Sequence, residues 1–362
     1  MSYNLHIAPI AAVFFCYSPT VRAEAIEDPE KIQRFITSRP QEDIITWADE
    51  SRGEPFTVRF ISADEKDVVV EKTLSNTLAR RTLPFREIQN LRFQFTPTES
   101  AIHQNPEQKH IPILRALWDN RKPTLRLNNP ETALTGLCLV ETLRVEPSTE
   151  TLKESSEILL TILGKDLPSH LKTRATGETY INDFLIALEE KNIALAEEAA
   201  WKITAESEYP DAMLIATSFL GKRHFEQLKA IQEEHPRWHL DDEIKPLRQR
   251  LYQLSLDFVL YPSLFHPTRE IAASEGLKAA AEVYQFTQSR ELRLAALEDL
   301  AALYPNSEAA KQTAEELENL RANKPDPKPE EESSDSPEEE KDSETPTTTV
   351  PPKPKRYNLF DD

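Results

Sequence analysis

Along most of this chain the apolar positions recur every three to four residues, the spacing of helices that each bury one face. The clearest run covers residues 177–321. It is rich in Ala and Leu, almost free of Gly, and punctuated by Tyr209-Pro210, Tyr261-Pro262 and Tyr304-Pro305. Proline cannot donate into a helix interior and turns the preceding residue away from helical backbone. Each pair is therefore expected to end one helix and open the approach to the next. In residues 289–321, Leu292, Ala296, Leu300 and Leu303 form one stripe. After Pro305, Asn306 or Ser307 caps a second helix whose stripe is Ala309, Thr313 or Ala314, Leu317 and Leu320. Two short amphipathic helices joined by a tight turn make an αα-hairpin, and such hairpins stack into solenoids. The same spacing predicts helices over 111–118, 133–145, 180–190, 195–207, 212–220, 225–234, 243–260 and 268–286. Another runs from Pro147-Ser148-Thr149-Glu150 to Gly164, which is placed to close it.

Before residue 97 the period changes. A short leading helix opens at Asp28-Pro29-Glu30, carries Ile32, Phe35 and Ile36, and ends at Arg39-Pro40. Over residues 44–95 the alternation is two. Phe56, Val58 and Phe60 alternate with polar neighbours, Asp64-Glu65-Lys66-Asp67 is a turn, and Val68-Val69-Val70 continues as strand. A second hairpin turn holds Ser75-Asn76, a helical turn covers 84–88, and Leu91, Phe93 and Phe95 close the pattern. The fold class expected is therefore α+β: a small antiparallel β-barrel (44–96) followed by a mostly helical repeat domain (97–321).

Composition adds a compartment and a tail. The formal net charge of −19 argues against nucleic acid as a partner and against docking on anionic lipid. Residues 7–17 are apolar but too short to span a bilayer, and Ala23 and Ala25 offer small-residue cleavage sites. These features predict a cleaved leader (1–23), a mature start at Glu24 or Ile26, and a periplasmic or secreted protein without direct membrane insertion. Residues 24–43 then form the leading-helix segment. Cys16 falls inside the leader behind bulky Phe14-Phe15, which argues against lipidation, and cleavage would leave Cys138 alone, read as a buried small hydrophobe. Residues 322–355 are Pro, Glu, Asp, Ser and Thr with few apolar side chains, a composition that predicts a disordered tether. Residues 356–362 differ: Arg356, Tyr357, Leu359 and Phe360 make a candidate docking peptide, with an alternation that suits an added edge strand.

Two resemblances rest on these residues. The strand order and the turn before the last strand resemble SH3-like and Sm-like small barrels, some of which bind Pro-rich peptides and others RNA. With the aromatics mostly at core parity, Trp47 the main exception, and Arg80-Arg81 the one basic pair, neither activity is carried over. The helical region resembles tetratricopeptide-repeat proteins of bacterial envelopes. Counting back from Pro305, Leu277, Ala281 and Tyr284 fall at that family's bulky, small and aromatic positions. The small position of the second helix falls on Arg293, and counting back from Pro210 the Tyr position holds Glu189, so the repeats are degenerate or carry insertions.

Candidate chemistry is sparse. His235-Pro236-Arg237-Trp238-His239 with Asp241, Asp242 and Glu243 offers two imidazoles and carboxylates for zinc, but Pro236 breaks the helix that usually carries such a pair. His235, His239 and Asp241 are the metal candidates; the plainer reading is a polar turn anchored by Trp238. Ser169-His170-Leu171-Lys172 matches a Ser-x-x-Lys spacing without its companion motifs. The six glycines are scattered singly and build no phosphate loop. No cofactor is expected. Two function classes remain. One is a non-catalytic envelope adaptor whose helical groove holds other envelope proteins. The alternative is a ligand- or metal-binding protein or hydrolase with its site at the barrel–solenoid junction.

Overall fold

The computed structural model describes residues 28–37, 39–74 and 77–322. The expected leader, the cleavage sites, and the tail from 323 with Arg356, Tyr357, Leu359 and Phe360 lie outside the described residues. The class is α+β. Helix α1 (Pro29–Thr37) precedes five strands: β1 (Asp43–Trp47), β2 (Phe56–Ala63), β3 (Asp67–Leu74), β4 (Thr77–Pro84) and β5 (Ile88–Arg92). The described helices then run α2 (Pro97–Gln104), α3 (Ile111–Arg121), α4 (Pro130–Leu143), α5 (Thr149–Leu163), α6 (Ser169–Glu189) and α7 (Ile193–Glu206). They continue with α8 (Pro210–Glu234), α9 (Ile244–Phe265), α10 (Glu270–Phe286), α11 (Arg290–Leu303) and α12 (Glu308–Arg321).

The strands form one antiparallel sheet in the order β4-β3-β2-β1-β5. Asp64 Oδ1 accepts from the backbone N–H groups of Lys66 (2.7 Å) and Asp67 (2.8 Å), which fixes the β2–β3 turn. Register irregularities at Phe60/Ser62 and at Thr46/Trp47 bend the sheet. Its inner face buries Ile45, Val58, Phe60, Val68, Val70 and Leu91. A 3₁₀ turn (Phe85–Glu87) leads into β5, where the helical turn was expected.

Local chemistry starts the helices. Thr96 and Glu99 form a reciprocal capping box before Pro97 (Glu99 N–H to Thr96 Oγ1, 3.1 Å; Thr96 N–H to Glu99 Oε2, 2.8 Å). Asn129 Oδ1 accepts from the Thr132 N–H at 2.8 Å, and its amide also donates to the Leu91 carbonyl, tying the start of α4 to β5. Asn120 Nδ2 donates to the Ile61 carbonyl at 3.1 Å. The sheet is thus held to α3 and α4 by side chains that satisfy the backbone carbonyls of Ile61, at the β2 irregularity, and of Leu91 in β5.

From α3 to α12 each helix packs on the next, and α4, α6, α8, α10 and α12 also touch one another in order. Buried glycines mark this even-numbered layer: Gly136 in α4, Gly177 in α6, Gly221 in α8 and Gly276 in α10. Two of them converge on one residue of α9. A Cβ on Gly221 would sit 2.6 Å from Val259 Cγ1, and a Cβ on Gly276 would sit 2.4 Å from the Val259 carbonyl oxygen. Three helices therefore cross where two of them have no side chain. The α6–α7 and α10–α11 turns share one design. Lys191 (φ 57°) and Gln288 (φ 58°) take left-handed backbone. The next N–H reaches back five residues, Asn192 to the Ala187 oxygen (2.9 Å) and Ser289 to the Tyr284 oxygen (2.8 Å). That is the Schellman closure.

Several expectations are corrected. Tyr209-Pro210 and Tyr304-Pro305 separate helices, but Pro262 lies inside α9. It sits one turn before the helix end, so its missing N–H removes a single hydrogen bond, and its ring is buried. The helices expected over 212–220 and 225–234 are one helix, α8, because Gly221 is a crossing point with Val259 rather than a break. Helix α6 begins at Ser169 and so absorbs the Ser169-x-x-Lys172 pattern into an exposed first turn. In α11 the buried stripe is Arg293, Ala296, Leu297 and Leu300, leaving Leu292 and Leu303 49% and 64% exposed. Tyr304, whose hydroxyl donates to the Pro267 carbonyl at 3.1 Å, and Arg293, paired with Glu316 at 2.6 Å, take the core side.

Candidate functional site

The sheet–helix junction is filled with charge. Arg39 pairs with Asp43 (3.3 Å) and, through Nε, with Glu99 (3.3 Å); Arg121 extends the chain by donating to Glu99. All four side chains are buried. Asp43 also accepts the N–H groups of Phe60 (3.0 Å) and Gln94 (3.1 Å), and the Arg121 guanidinium lies 4.7 Å from the Phe93 ring centroid. Burial raises the Asp43 carboxyl against the pull of Arg39. Burial acts the same way on Glu99, but Arg121 and Arg39 outweigh it and hold that carboxyl below its usual range. His103 packs at a tilt against Phe95 (4.4 Å between centroids), and its ring nitrogens have no hydrogen-bond partner among the described residues. Burial, helped by Arg121, pushes it down to about 4. Two cations and two carboxylates pair here, although Arg121 Nη1 is buried without a hydrogen-bond partner among the described residues, and the pairs link the sheet to α2 and α3.

A second ionic group joins α4 to α6. Arg144 pairs with Glu178, and Arg174 donates to Glu141 at 2.5 Å. Burial pushes Glu178 up to about 7, with Arg144 opposing and Glu141 adding to the rise. Such a carboxyl can hold a proton near neutrality, but it is 1% exposed, out of reach of a substrate. Further along the layer, Tyr209 donates to Asp211 (3.1 Å), which pairs with Arg269 (3.0 Å).

The metal candidates are not brought together. His235, His239 and Asp241 are exposed around the Trp238–Leu240 turn. Asp241 Oδ1 accepts the N–H groups of Glu243 (3.0 Å) and Ile244 (3.1 Å), so it opens α9. Trp238 packs under Arg248, 3.9 Å from its centroid. Among the described residues no group of three or more His, Cys, Asp or Glu could hold a metal ion. Cys138 is buried with its thiol pushed up by desolvation. Among the described residues no helix is long and apolar enough to cross a membrane.

Two concave surfaces formed by the described residues bear on binding. The first is a groove of 340 Å³ between α8 and α10, floored by Val259 and Pro262 of α9. Leu214, Ile215, Phe225, Ala279 and Val283 make its walls apolar, and Lys222, Lys278, Glu275 and Glu282 line its rim. Helix α9 packs against both glycine-bearing helices and forms the groove floor. The second is a cleft of 250 Å³ at the open end of the sheet. Inner-face positions run past the core there. On β2 the order is Phe60, Val58, Phe56, on β3 Val70 then Lys72, and on β4 Leu83, Arg81, Ala79. Trp47 and Phe56 stack at 4.8 Å, with Arg52 5.7 Å from the Trp47 ring and Lys72 4.9 Å from the Phe56 ring. Sequence parity assigned Phe56 to the core. It misses the cleft because parity says which face a side chain takes, not where along the strand the core stops.

No protein-family model, no curated protein and no solved structure matches the chain.

Proposed function

We propose that this protein is a non-catalytic interaction scaffold of the bacterial cell envelope. Its helices form a TPR-like α-solenoid, its sheet is an SH3-like or Sm-like small barrel at one end, and another envelope protein is held in the helical groove. The observation that carries this reading is the apolar groove between α8 and α10, on the layer whose glycines let the helices pack closely. The repeated turn design of α6–α7 and α10–α11 supports stacked hairpins. The strand order with a 3₁₀ turn before β5 supports the barrel. Grooves of this kind hold an extended or helical segment through apolar anchors, while rim charges set register. The alternative enzyme reading needs free acids and bases at the sheet–helix junction. The carboxylates there are paired with guanidiniums, and the one unpartnered base beside them among the described residues, His103, is buried, which favours the scaffold reading.

The test is affinity capture of the full chain from its native envelope beside an Ala279→Arg variant, which fills the groove from a half-buried position. A polypeptide captured by the parent and lost from an equally stable variant supports the reading; the same set in the same amounts refutes it. The envelope location rests on the apolar run 7–17 and on Ala23 and Ala25. Mass spectrometry of the native N-terminus should find Glu24 or Ile26 first, and an intact Met1 or Ser2 removes this part.

A further inference from the structure

We propose that the cleft at the open end of the sheet is the receptor for the chain's own residues 356–362. In a chain of net charge −19, the sheet mouth gathers Arg52, Lys72 and Arg81 around a stacked Trp47–Phe56 pair, with Glu54 the one acid on the rim. Arg52 is already paired with Glu87 at 2.5 Å. Lys72 and Arg81 make no ion pair among the described residues. Two unpaired cations beside a half-open aromatic stack are an anion-and-ring site waiting for both kinds of group.

The size of the cleft limits the ligand. A cavity of 250 Å³ takes one aromatic side chain with its polar neighbours, not the surface of a folded domain. Residues 356–362, Arg-Tyr-Asn-Leu-Phe-Asp-Asp, offer that combination. Phe360 inserts against Trp47 and Phe56 in an offset or edge-on arrangement. Asp361 and Asp362 then face Lys72 and Arg81, and Arg356, at the other end of the peptide, faces Glu54. The preceding segment carries Glu330-Glu331-Glu332 and Glu338-Glu339-Glu340, whose charge draws the tail toward a basic surface before the tip seats. Reach is not limiting. Residues 323–355 can extend to roughly 110 Å, whereas the axes of α4 and α12 are separated by four steps within one layer, roughly 40 Å at ordinary helix spacing. Tethering of this kind gives an effective concentration of about a millimolar, so weak contacts suffice to populate the docked state. Docking of the tail on the sheet is independent of what the helical groove holds.

The experiment uses the full chain with Phe360→p-benzoylphenylalanine, irradiated and mapped by mass spectrometry, with the same probe at Thr345 as background. Adducts from position 360 should fall within residues 47–56 and 70–83. An adduct within one chain and an adduct between two copies both place the tip in the cleft and support the proposal; their ratio reports whether the tail closes on itself or links copies. The paired reversal Lys72→Glu with Arg81→Glu should lower the adduct yield about fivefold or more. Adding Asp361→Lys with Asp362→Lys should restore it, a recovery that a merely structural effect of the first pair would not show. Adducts scattered like those of the Thr345 control, or adducts confined to the helices, would overturn the proposal. So would a cleft adduct indifferent to both charge reversals.

Discussion

Leu300 and His103 test the packing and the junction one side chain at a time. Leu300 is fully buried among Leu277, Leu297 and Leu317, and Leu300→Ala should cost about 2–5 kcal/mol in chemical denaturation. A near-neutral result would mean that this face of α11 is not packed as described. His103 makes a signed claim about pH. The unfolded ring takes a proton near pH 6.5, whereas the folded ring refuses one until about 4. Between those values the unfolded ring binds a proton that the folded ring does not, so the His103 contribution to stability falls as pH drops from 6.5 to 4, by at most about 3 kcal/mol, opposite in sign to the contribution of Glu178. His103→Phe should remove that contribution, so the variant should lose less stability, or gain more, than the parent as pH drops from 6.5 to 4, and an unchanged slope would contradict the burial of this imidazole. At this scale the sequence was legible for core residues such as Leu300, Leu317 and Leu320. It misplaced Leu292 and Leu303, because a stripe read from apolar residues alone cannot know that Arg293 and Tyr304 carry polar ends to partners on α12 and at Pro267. The junction charges were not legible either. Arg39, Asp43, Glu99 and Arg121 are spread over a strand and three helical or loop segments with no shared spacing.

Elements were legible where their ends carry chemistry and illegible where tertiary packing overrides it. Asp28-Pro29, Asn129-Pro130 and Ser148 announced helices that are present, each through a side-chain oxygen accepting a first-turn N–H. Gly221 and Pro262 misled because a glycine inside a helix and a proline in its last turn both look like breaks until a neighbour is known. The crossing on Val259 yields a prediction with an internal control. Gly221→Ala and Gly276→Ala each improve helix propensity by roughly 1 kcal/mol. Each also places a Cβ under 3 Å from α9, and overpacking of that kind costs about 1–3 kcal/mol or more, so both variants should be destabilised. Val259→Ala removes the methyl that Gly221→Ala strikes but not the carbonyl oxygen that Gly276→Ala strikes. Thermal melts should therefore show partial rescue of the first variant and none of the second; equal rescue of both would mean the helices separate instead of clashing.

The whole molecule joins a sheet to a run of helices through a buried chain of ion pairs, and neither the α8–α10 groove nor the sheet cleft is lined by a residue of that chain. The α+β class and the sheet-then-helix order followed from the change of hydrophobic period. The layering of α4, α6, α8, α10 and α12 did not, since the Tyr-Pro pairs are unevenly spaced and only the contacts reveal which glycines are equivalent. The central claim, that the α8–α10 groove holds a partner polypeptide, is tested most directly by photo-cross-linking in native cells. A photoreactive residue would replace Lys222 in the groove and, as a control, Leu160, which is 70% exposed on α5. The account predicts a discrete protein adduct from position 222 that is absent from position 160 and abolished by Ala279→Arg. Equal adducts from both positions, or an adduct at 222 that survives Ala279→Arg unchanged, would contradict it.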